Sequence, residues 1–417
     1  MSSLSKTRLV SPIRGLLTLE SIPGVLSLLA GKPAQQTFPI TSISINVRSQ
    51  ESPSEEITLK IDSQGGQISE ALQYGPTNGH KDLVTWLLTL QKHYHGRSED
   101  PSWMLSVGAG SQDLLYKAFL ALSNPGDSVL IEAPVYAGVI PLFVSSGVNM
   151  VENWPVGKPY PKYLYTVPYG CNPTGATTNL QRRKEVLALA RKYKFSSSRY
   201  ILCLDDPYYL LYYGPEPRPT SYFALEAQDG HGTGVVIRFD SLSKVVSSGL
   251  RIGFVSGPAP ILRAMSLHTA SANLQPSSLA QSVTYALLQH WGISGLDAHT
   301  KYVSQFYRER RDVFEAALKK HLDGLVEYTS PVSGMFLWFK LLIPPPAHDL
   351  NGEGDSSELI KTKALENGVL ALPGTVFFAN GQRSAYVRAS FSMLDDEQTD
   401  EALRRLGEVV RQARGEI

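Results

Sequence analysis

Asp240-Ser241-Leu242-Ser243-Lys244, followed by Ser247-Ser248-Gly249-Leu250-Arg251-Ile252-Gly253, is the most informative stretch of the chain. It lies between two apolar runs, Val235 to Phe239 and Gly253 to Ser256, that read as strands. One lysine stands between hydroxyls, with an arginine seven residues on. An amine so placed can attack an aldehyde, and hydroxyls with a guanidinium can hold a phosphate. A polar loop with a solvated lysine would look the same in isolation, so the stretch is weighed with what lies upstream.

Tyr200 to Leu204 reads as a buried strand and ends in Asp205-Asp206-Pro207-Tyr208. A carboxylate at a strand's C-terminal end points into the crevice where open α/β sheets bind ligands. Opposite a pyridine nitrogen, Asp205 would keep that nitrogen protonated, and Tyr208 could donate to a ring oxygen. Tyr163 to Val167 is another strand-like run, leading into Pro168-Tyr169-Gly170-Cys171-Asn172-Pro173-Thr174-Gly175. Asn172, before a proline, is kept out of a helix and suits a fixed turn. Val107-Gly108-Ala109-Gly110-Ser111-Gln112-Asp113 opens into a helical pattern from Leu114 to Leu122, and a helix N-terminus offers free N–H groups to a phosphate. Arg388 lies in the strand-like run Tyr386 to Phe391, and its planar fork suits a carboxylate. Singly, each of these is also an ordinary turn, helix start or edge-strand arginine.

Further runs, such as Ser128 to Ile131, alternate with helical patterns at Leu180 to Tyr193, Ala259 to His268 and Leu279 to His290. That alternation predicts an α/β lobe with a mainly parallel sheet covered by helices. A long helical pattern, Leu296 to His321, leads out of it, and Val326 to Ile417 reads as a smaller α+β lobe. The expected division is residues 1–60 as an N-terminal arm joined to the small lobe, 61–300 as the large lobe and 301–417 as the small one. Gly31 to Pro39 and Pro344 to Gly354 read as loops.

The chain has 417 residues, 42% hydrophobic and 18% charged, which fits a globular enzyme of two lobes. With 39 basic and 38 acidic residues the formal charge is +1, which argues against nucleic acid or an anionic membrane as partner. No apolar run reaches the length of a membrane span. Cys171 and Cys203 fit a reducing compartment and read as packing thiols. The first nineteen residues lack acids and carry Lys6, Arg8 and Arg14, weakly like a mitochondrial transit peptide, yet Pro12 interrupts any helix there; the expected location is the cytosol.

Taken together, the motifs resemble class I/II aminotransferases of fold type I that depend on pyridoxal 5'-phosphate, in the kynurenine/2-aminoadipate and aromatic amino-acid branch. Ser11-Pro12-Ile13-Arg14, Ala71-Leu72-Gln73-Tyr74, Gly334-Met335-Phe336-Leu337-Trp338 and Val387-Arg388-Ala389-Ser390-Phe391 extend the match nearly end to end. The resemblance implies that Lys244 is the Schiff-base lysine and proton shuttle, that Asp205 pairs with the pyridine nitrogen, and that Tyr208 and Asn172 hold the ring hydroxyl. It implies Tyr136 beside the ring and Ser111, Gln112, Ser241, Ser243 and Arg251 on the phosphate. Arg388 would clamp the substrate carboxylate with Asn172 assisting, Arg14 and Tyr74 would line the substrate site, and Tyr74 would come from the second subunit of a homodimer. The implied partners are an amino acid and a 2-oxo acid, 2-oxoglutarate foremost.

One departure from the family pattern stands out. Only Asn153 to Lys162 separates the strand-like Val148 to Glu152 from the strand opening at Tyr163, and that connection is proline-rich. A parallel crossover containing a helix needs about ten to twelve residues or more. A helix has been lost or the gene model is altered; stability and the nearby pocket wall are affected. Ser196 to Arg199 also lengthens the turn before the Asp205 strand. Three other functions are considered. A pyridoxal-phosphate lyase acting by β-elimination would use the same lysine and aspartate. A cofactor-free hydrolase lacks a Gly-x-Ser-x-Gly elbow, and His93-Tyr94-His95, read as the exposed end of a helix, lacks further ligands at zinc spacing. A catalytically inert scaffold rests on the short connection alone.

Overall fold

The computed structural model describes residues 1–29, 31–49, 55–63, 66–153, 160–195, 198–345 and 352–417. Seven strands form the main sheet: β1 (Trp103–Gly108), β2 (Ser128–Ile131), β3 (Asn149–Val151), β4 (Tyr163–Thr166), β5 (Ile201–Asp205), β6 (Val236–Ser241) and β7 (Gly253–Pro258). Their order across the sheet is β1-β7-β6-β5-β4-β2-β3. Every neighbouring pair is parallel except those made by β7, which runs antiparallel to β1 and β6. The expectation of a mainly parallel sheet holds. The sequence accounts for it: all five residues of β5 and all six of β7 are buried, as strands covered on both faces must be.

The covering helices are α1 (Lys81–His95), α2 (Ser111–Leu122), α3 (Leu180–Lys192), α4 (Ala259–Ala272) and α5 (Ser278–Leu322). The two patterns read separately at Leu279 and Leu296 are two helical stretches of α5, broken where Gly292 leaves helical geometry at φ 61° and ψ −171°. The second lobe is a four-stranded antiparallel sheet, β8 (Val326–Tyr328), β9 (Phe336–Leu341), β10 (Leu372–Pro373) and β11 (Tyr386–Ser390), in the order β8-β9-β11-β10. Its closing helix α6 (Asp396–Arg414) starts in a capping box between Asp395 and Gln398.

The start of the N-terminal arm docks on the large lobe: Ser2 donates from its backbone N–H to the Ala121 carbonyl and from its hydroxyl to Leu120, both on α2. Farther along, the hairpin of Ile43–Arg48 with Glu56–Ile61 crosses the expected boundary at residue 60. Its Ile43, Ile45 and Ile61 pack with Ile68, Ala71 and Leu72 and with Val283 and Ala286 near the start of α5. His95 is not at an exposed helix end. It is 4% exposed, and its Nδ1 shares a hydrogen bond with the Ser221 hydroxyl at 2.8 Å.

The short connection falls between β3 and β4, which flank β2 and both run parallel to it. Residues 154–159 of that connection lie outside the described residues, as do Ser196 and Ser197 of the lengthened turn. Leu130 pairs in register with Val151 on one side and Leu164 on the other, and all three are only half-buried. Leu202, next in the same row, is fully buried. A groove of about 520 Å³ opens there, lined by Leu130, Glu132, Asn153, Leu164, Val167 and Cys171 among others.

Candidate active site

The parallel strands end on one edge, and the predicted site residues come from those ends. β5 finishes in Asp205, β6 runs into Ser241 and the short turn Leu242–Lys244, and β1 leads through Gly108 to the start of α2. β4 leads to Asn172 and β2 to Tyr136, while antiparallel β7 begins on this edge just after Arg251. This is the crevice in which open α/β sheets bind ligands.

Asp205 is 3% exposed. Its Oδ2 accepts a hydrogen bond from the Tyr165 hydroxyl at 2.9 Å, and its Oδ1 is buried with no hydrogen-bond partner among the described residues. Burial pushes its carboxyl up to about 7; the Tyr165 hydrogen bond opposes this, Asp206 and Asp240 add to it, and Lys244 opposes it. Lys244 is half-buried, and burial lowers its ammonium below the usual lysine range, helped by Arg251 and Arg388 and opposed by Asp205. An amine held this way reaches its neutral, nucleophilic form more readily.

Beside the lysine is a cradle of anion-binding groups. Gly110 takes φ 87° and ψ 168°, a conformation essentially reserved for glycine, and hands the chain to α2 at Ser111. A Cβ on Gly110 would strike the guanidinium of Arg251, so the two groups are in close approach. Arg251 donates to the Ala109 carbonyl at 3.1 Å and to the Ser243 hydroxyl at 3.4 Å, and it holds φ 53°, unusual for a residue with a side chain. Ser241 accepts from the backbone N–H of Ser243 at 3.2 Å. Gln112 instead braces the neighbouring turn, donating to the Gly138 carbonyl at 2.8 Å. A Cβ on Gly138 would meet the ring of Tyr136, so that glycine gives the half-buried tyrosine its seat.

Arg388 lies on β11, an inner strand of the small sheet, with Trp338 and Leu372 as its cross-strand partners. It is therefore not the solvated edge-strand arginine that its sequence context alone allows. Its guanidinium sits 4.1 Å from the Phe336 ring centre and 5.2 Å from that of Phe377. Its Nη1 donates to Asn172 Oδ1 at 2.8 Å, and its Nε is buried without a partner among the described residues. Tyr208 is buried, with its ring edge-on to Phe336 at 6.1 Å, and burial raises its phenol far above the usual range.

Lys244, Asp205, Tyr136, Tyr208, Asn172 and Arg388 thus converge, and Arg251, beside the lysine, meets Ser243 and the Gly110 turn that precedes Ser111. Arg14 sits apart from this group, donating to the Thr77 hydroxyl at 2.6 Å. Tyr74 is 58% exposed, on a segment whose Gly75 N–H donates to Gln275. Sequence reasoning missed Tyr165, Phe336 and Phe377 as site residues. It also missed Arg238, fully buried and bridging Asp206 and Asp240 beneath the site. Burial would lower the Arg238 guanidinium, but the two carboxylates outweigh it and hold it charged. Tyr165 was detectable in principle: it pairs in register with Cys203, so a period of two puts it on the same face as Asp205.

The family model described as Aminotransferase class I and II matches residues 42–159 and 167–406. The chain belongs to the class I and II aminotransferase family. The break in the match, residues 160–166, takes in the end of the short connection and the whole of β4. Among this aminotransferase's relatives, it is 39% identical to aminotransferase tdiD of Emericella nidulans, covering 95% of this chain and 92% of that one. It is 34% identical to the mitochondrial kynurenine/alpha-aminoadipate aminotransferase of Rattus norvegicus, over 99% and 98% of the two chains. Its fold matches that of the Pyrococcus horikoshii kynurenine aminotransferase, solved in complex with PMP, KYN as substrates and KYA as products. There the TM-score is 0.73 at 28% identity, over 99% and 97% of the two chains.

Proposed function

We propose that this aminotransferase uses pyridoxal 5'-phosphate to move the amino group of an aromatic or 2-aminoadipate-like amino acid to a 2-oxo acid, with 2-oxoglutarate as acceptor. The observation that carries the reading is the meeting, at one edge of the main sheet, of a depressed lysine, a buried carboxylate with one unpartnered oxygen and a half-buried arginine of the small lobe whose buried Nε is unpartnered among the described residues. The substrate class follows the kynurenine and aminoadipate named for the relatives.

The residues fit the cofactor. Asp205 Oδ1 is an orphaned acceptor suited to a ring N–H, and the Gly110–Arg251 approach with the α2 N-terminus suits a phosphate. When bound, the cofactor withdraws electrons from the substrate Cα, which makes its proton removable. The chain supplies the rest. Lys244 would hold the cofactor through its amine and, once the substrate amine has displaced it, would carry the proton from Cα. Asp205 would accept from the ring-nitrogen N–H, Tyr208 and Asn172 would hold the ring hydroxyl, and Tyr136 would lie beside the ring. Ser111, Gln112, Ser241, Ser243 and Arg251 fix the phosphate end, with Gln112 acting through the Gly138 turn. Arg388, steadied by Asn172 and two aromatic rings, takes the α-carboxylate and sets the angle of the Cα–H bond.

We also propose a homodimer in which Tyr74 reaches the neighbouring subunit's site and Arg14 lines the substrate entrance. Its support is the exposed Tyr74 and the exposed Leu9, Val10, Leu26 and Leu28 of the arm. No helix among the described residues is long and apolar enough to cross a membrane. The two buried, unpaired cysteines support a cytosolic location. The lyase alternative draws on the same residues, and no observation favours it.

Incubation of the enzyme with kynurenine or 2-aminoadipate and 2-oxoglutarate tests the proposal. Glutamate and the new oxo acid should form in equal amounts. Steady release of ammonia and oxo acid with no acceptor present would overturn it.

A further inference from the structure

Tyr165 has no part in the roles assigned above, yet its hydroxyl makes the one side-chain hydrogen bond that Asp205 receives among the described residues, at 2.9 Å to Oδ2. Both residues are almost completely buried, on adjacent parallel strands. The phenol ring is locked by edge-on contacts with Phe119 at 5.8 Å and Phe143 at 6.3 Å. The hydroxyl therefore has little freedom to turn elsewhere, and Asp205 has one oxygen engaged and one free.

We propose that Tyr165 is a positioning residue that anchors Asp205 through Oδ2, so that Oδ1 is presented to the cofactor's ring nitrogen and the carboxylate stays the anionic member of that pair. This rests on the functional reading above.

The physical argument has two parts. A carboxylate on a single Cβ–Cγ axis rotates broadly unless one oxygen is fixed. A hydrogen bond to the charged form also stabilises that form, which matters where burial works against it. Asp205 has few other means of staying ionised. Asp206 follows it in the chain and Asp240 lies on β6, and both disfavour its charge, while Lys244 favours it less than Tyr165 does. Tyr136, Tyr208 and Cys171 also face it, all as neutral groups whose ionisation burial suppresses. Arg238, the nearby buried cation, is spent on Asp206 and Asp240. Without the Tyr165 donor the proton shared between carboxylate and ring moves toward the carboxylate, and the ring loses its positive charge.

Tyr165→Phe tests this, because phenylalanine keeps both aromatic contacts and removes only the hydroxyl. Two readouts are taken on wild-type and variant enzyme loaded with pyridoxal phosphate. The first is the nitrogen NMR shift of cofactor labelled with ¹⁵N in the ring. The second is the pH midpoint of the visible band of the lysine-bound cofactor. The expected result is a ring nitrogen shifted toward its unprotonated value and a midpoint displaced upward, since a nearby positive charge no longer favours loss of the proton on the attached nitrogen. kcat should fall about 10- to 100-fold with KM nearly unchanged, the range for losing a hydrogen bond to a charged group. If Tyr165→Phe fails to fold, 3,5-difluorotyrosine installed at position 165 keeps the ring and strengthens the donor, and the midpoint should move downward. A ring nitrogen and midpoint unchanged in whichever variant folds would overturn the inference while leaving the functional reading intact. A wild-type protein that gains no visible band with pyridoxal phosphate would overturn both.

Discussion

Arg388 donates through Nη1 to Asn172 Oδ1 at 2.8 Å, joining the inner strand of the small sheet to the turn that follows β4 of the large one. The bond fixes one face of the guanidinium and leaves Nε buried and unpartnered among the described residues. A buried polar group without a partner costs free energy, so an anionic ligand that supplies one is favoured.

From this pairing, Arg388→Lys should lower kcat/KM for amino-acid substrates about 10- to 100-fold, because a single ammonium cannot reproduce a two-point fork. Most of the loss should appear in KM. Asn172→Ala should also raise KM, and the double variant should lose less than the product of the two, since both act on one clamp. Steady-state kinetics of the three variants check this; fully independent effects would contradict it.

Lys244→Ala should abolish turnover, by at least about a thousandfold, with little change in thermal stability. Lys244 is half-buried at the end of a short turn. The folded variant should bind the cofactor reversibly, so that dialysis strips it, whereas the parent should retain it.

Gly110→Ala should weaken cofactor binding and destabilise the protein by about 1–3 kcal/mol, the cost of forcing a side chain into a glycine-only conformation. The added methyl also meets Arg251, so the guanidinium must leave its place beside the α2 N-terminus. Titration with pyridoxal phosphate, followed by its absorbance, should show a raised Kd. An unchanged Kd would remove this loop from the phosphate site.

Asp205 predicts a pH dependence of the cofactor-free protein. Its carboxyl is pushed up to about 7 in the folded chain, against an ordinary value of 3.8. Between those values the native state holds a proton that the unfolded chain has released, so the stability contributed by this group is present below pH 4 and is lost as the pH rises through 7. The linked loss is on the order of 4 kcal/mol at most. On the proposed reading, bound pyridoxal phosphate would bring a cationic ring nitrogen to Oδ1 and reverse the penalty. Urea denaturation should therefore show a larger gain from the cofactor at pH 8 than at pH 5, and Asp205→Asn should reduce that difference.

The parts of the site legible in the sequence are those carried by local patterns. Lys244, Asp205 and Asn172 each stand just past an apolar strand-like run, and strand ends in a parallel sheet share an edge, so their convergence follows from topology. Arg388 was less legible, because an inner strand of a small antiparallel sheet looks the same as an edge strand until its neighbours are known. The docking of Ser2 on α2 depends on contacts more than a hundred residues apart in sequence, which no periodicity records. His95 was misjudged for a similar reason: the helix end it occupies is covered by Ser221 and Phe223 from a distant segment. The aromatic walls around Arg388 come from Phe336 and Phe377, whose apolar character alone marks them as core.

The central claim, that Lys244 carries pyridoxal phosphate and the enzyme transaminates, is tested most directly by the absorbance of the purified enzyme. After loading with pyridoxal phosphate and gel filtration, a visible band should remain, and Lys244→Ala treated alike should lose it. Addition of kynurenine or 2-aminoadipate with no acceptor should convert the band to the near-ultraviolet absorbance of the pyridoxamine form, with one oxo acid released per site, and 2-oxoglutarate should restore it. A band that is absent, or that survives unchanged through every aromatic amino acid and 2-aminoadipate, would contradict the account.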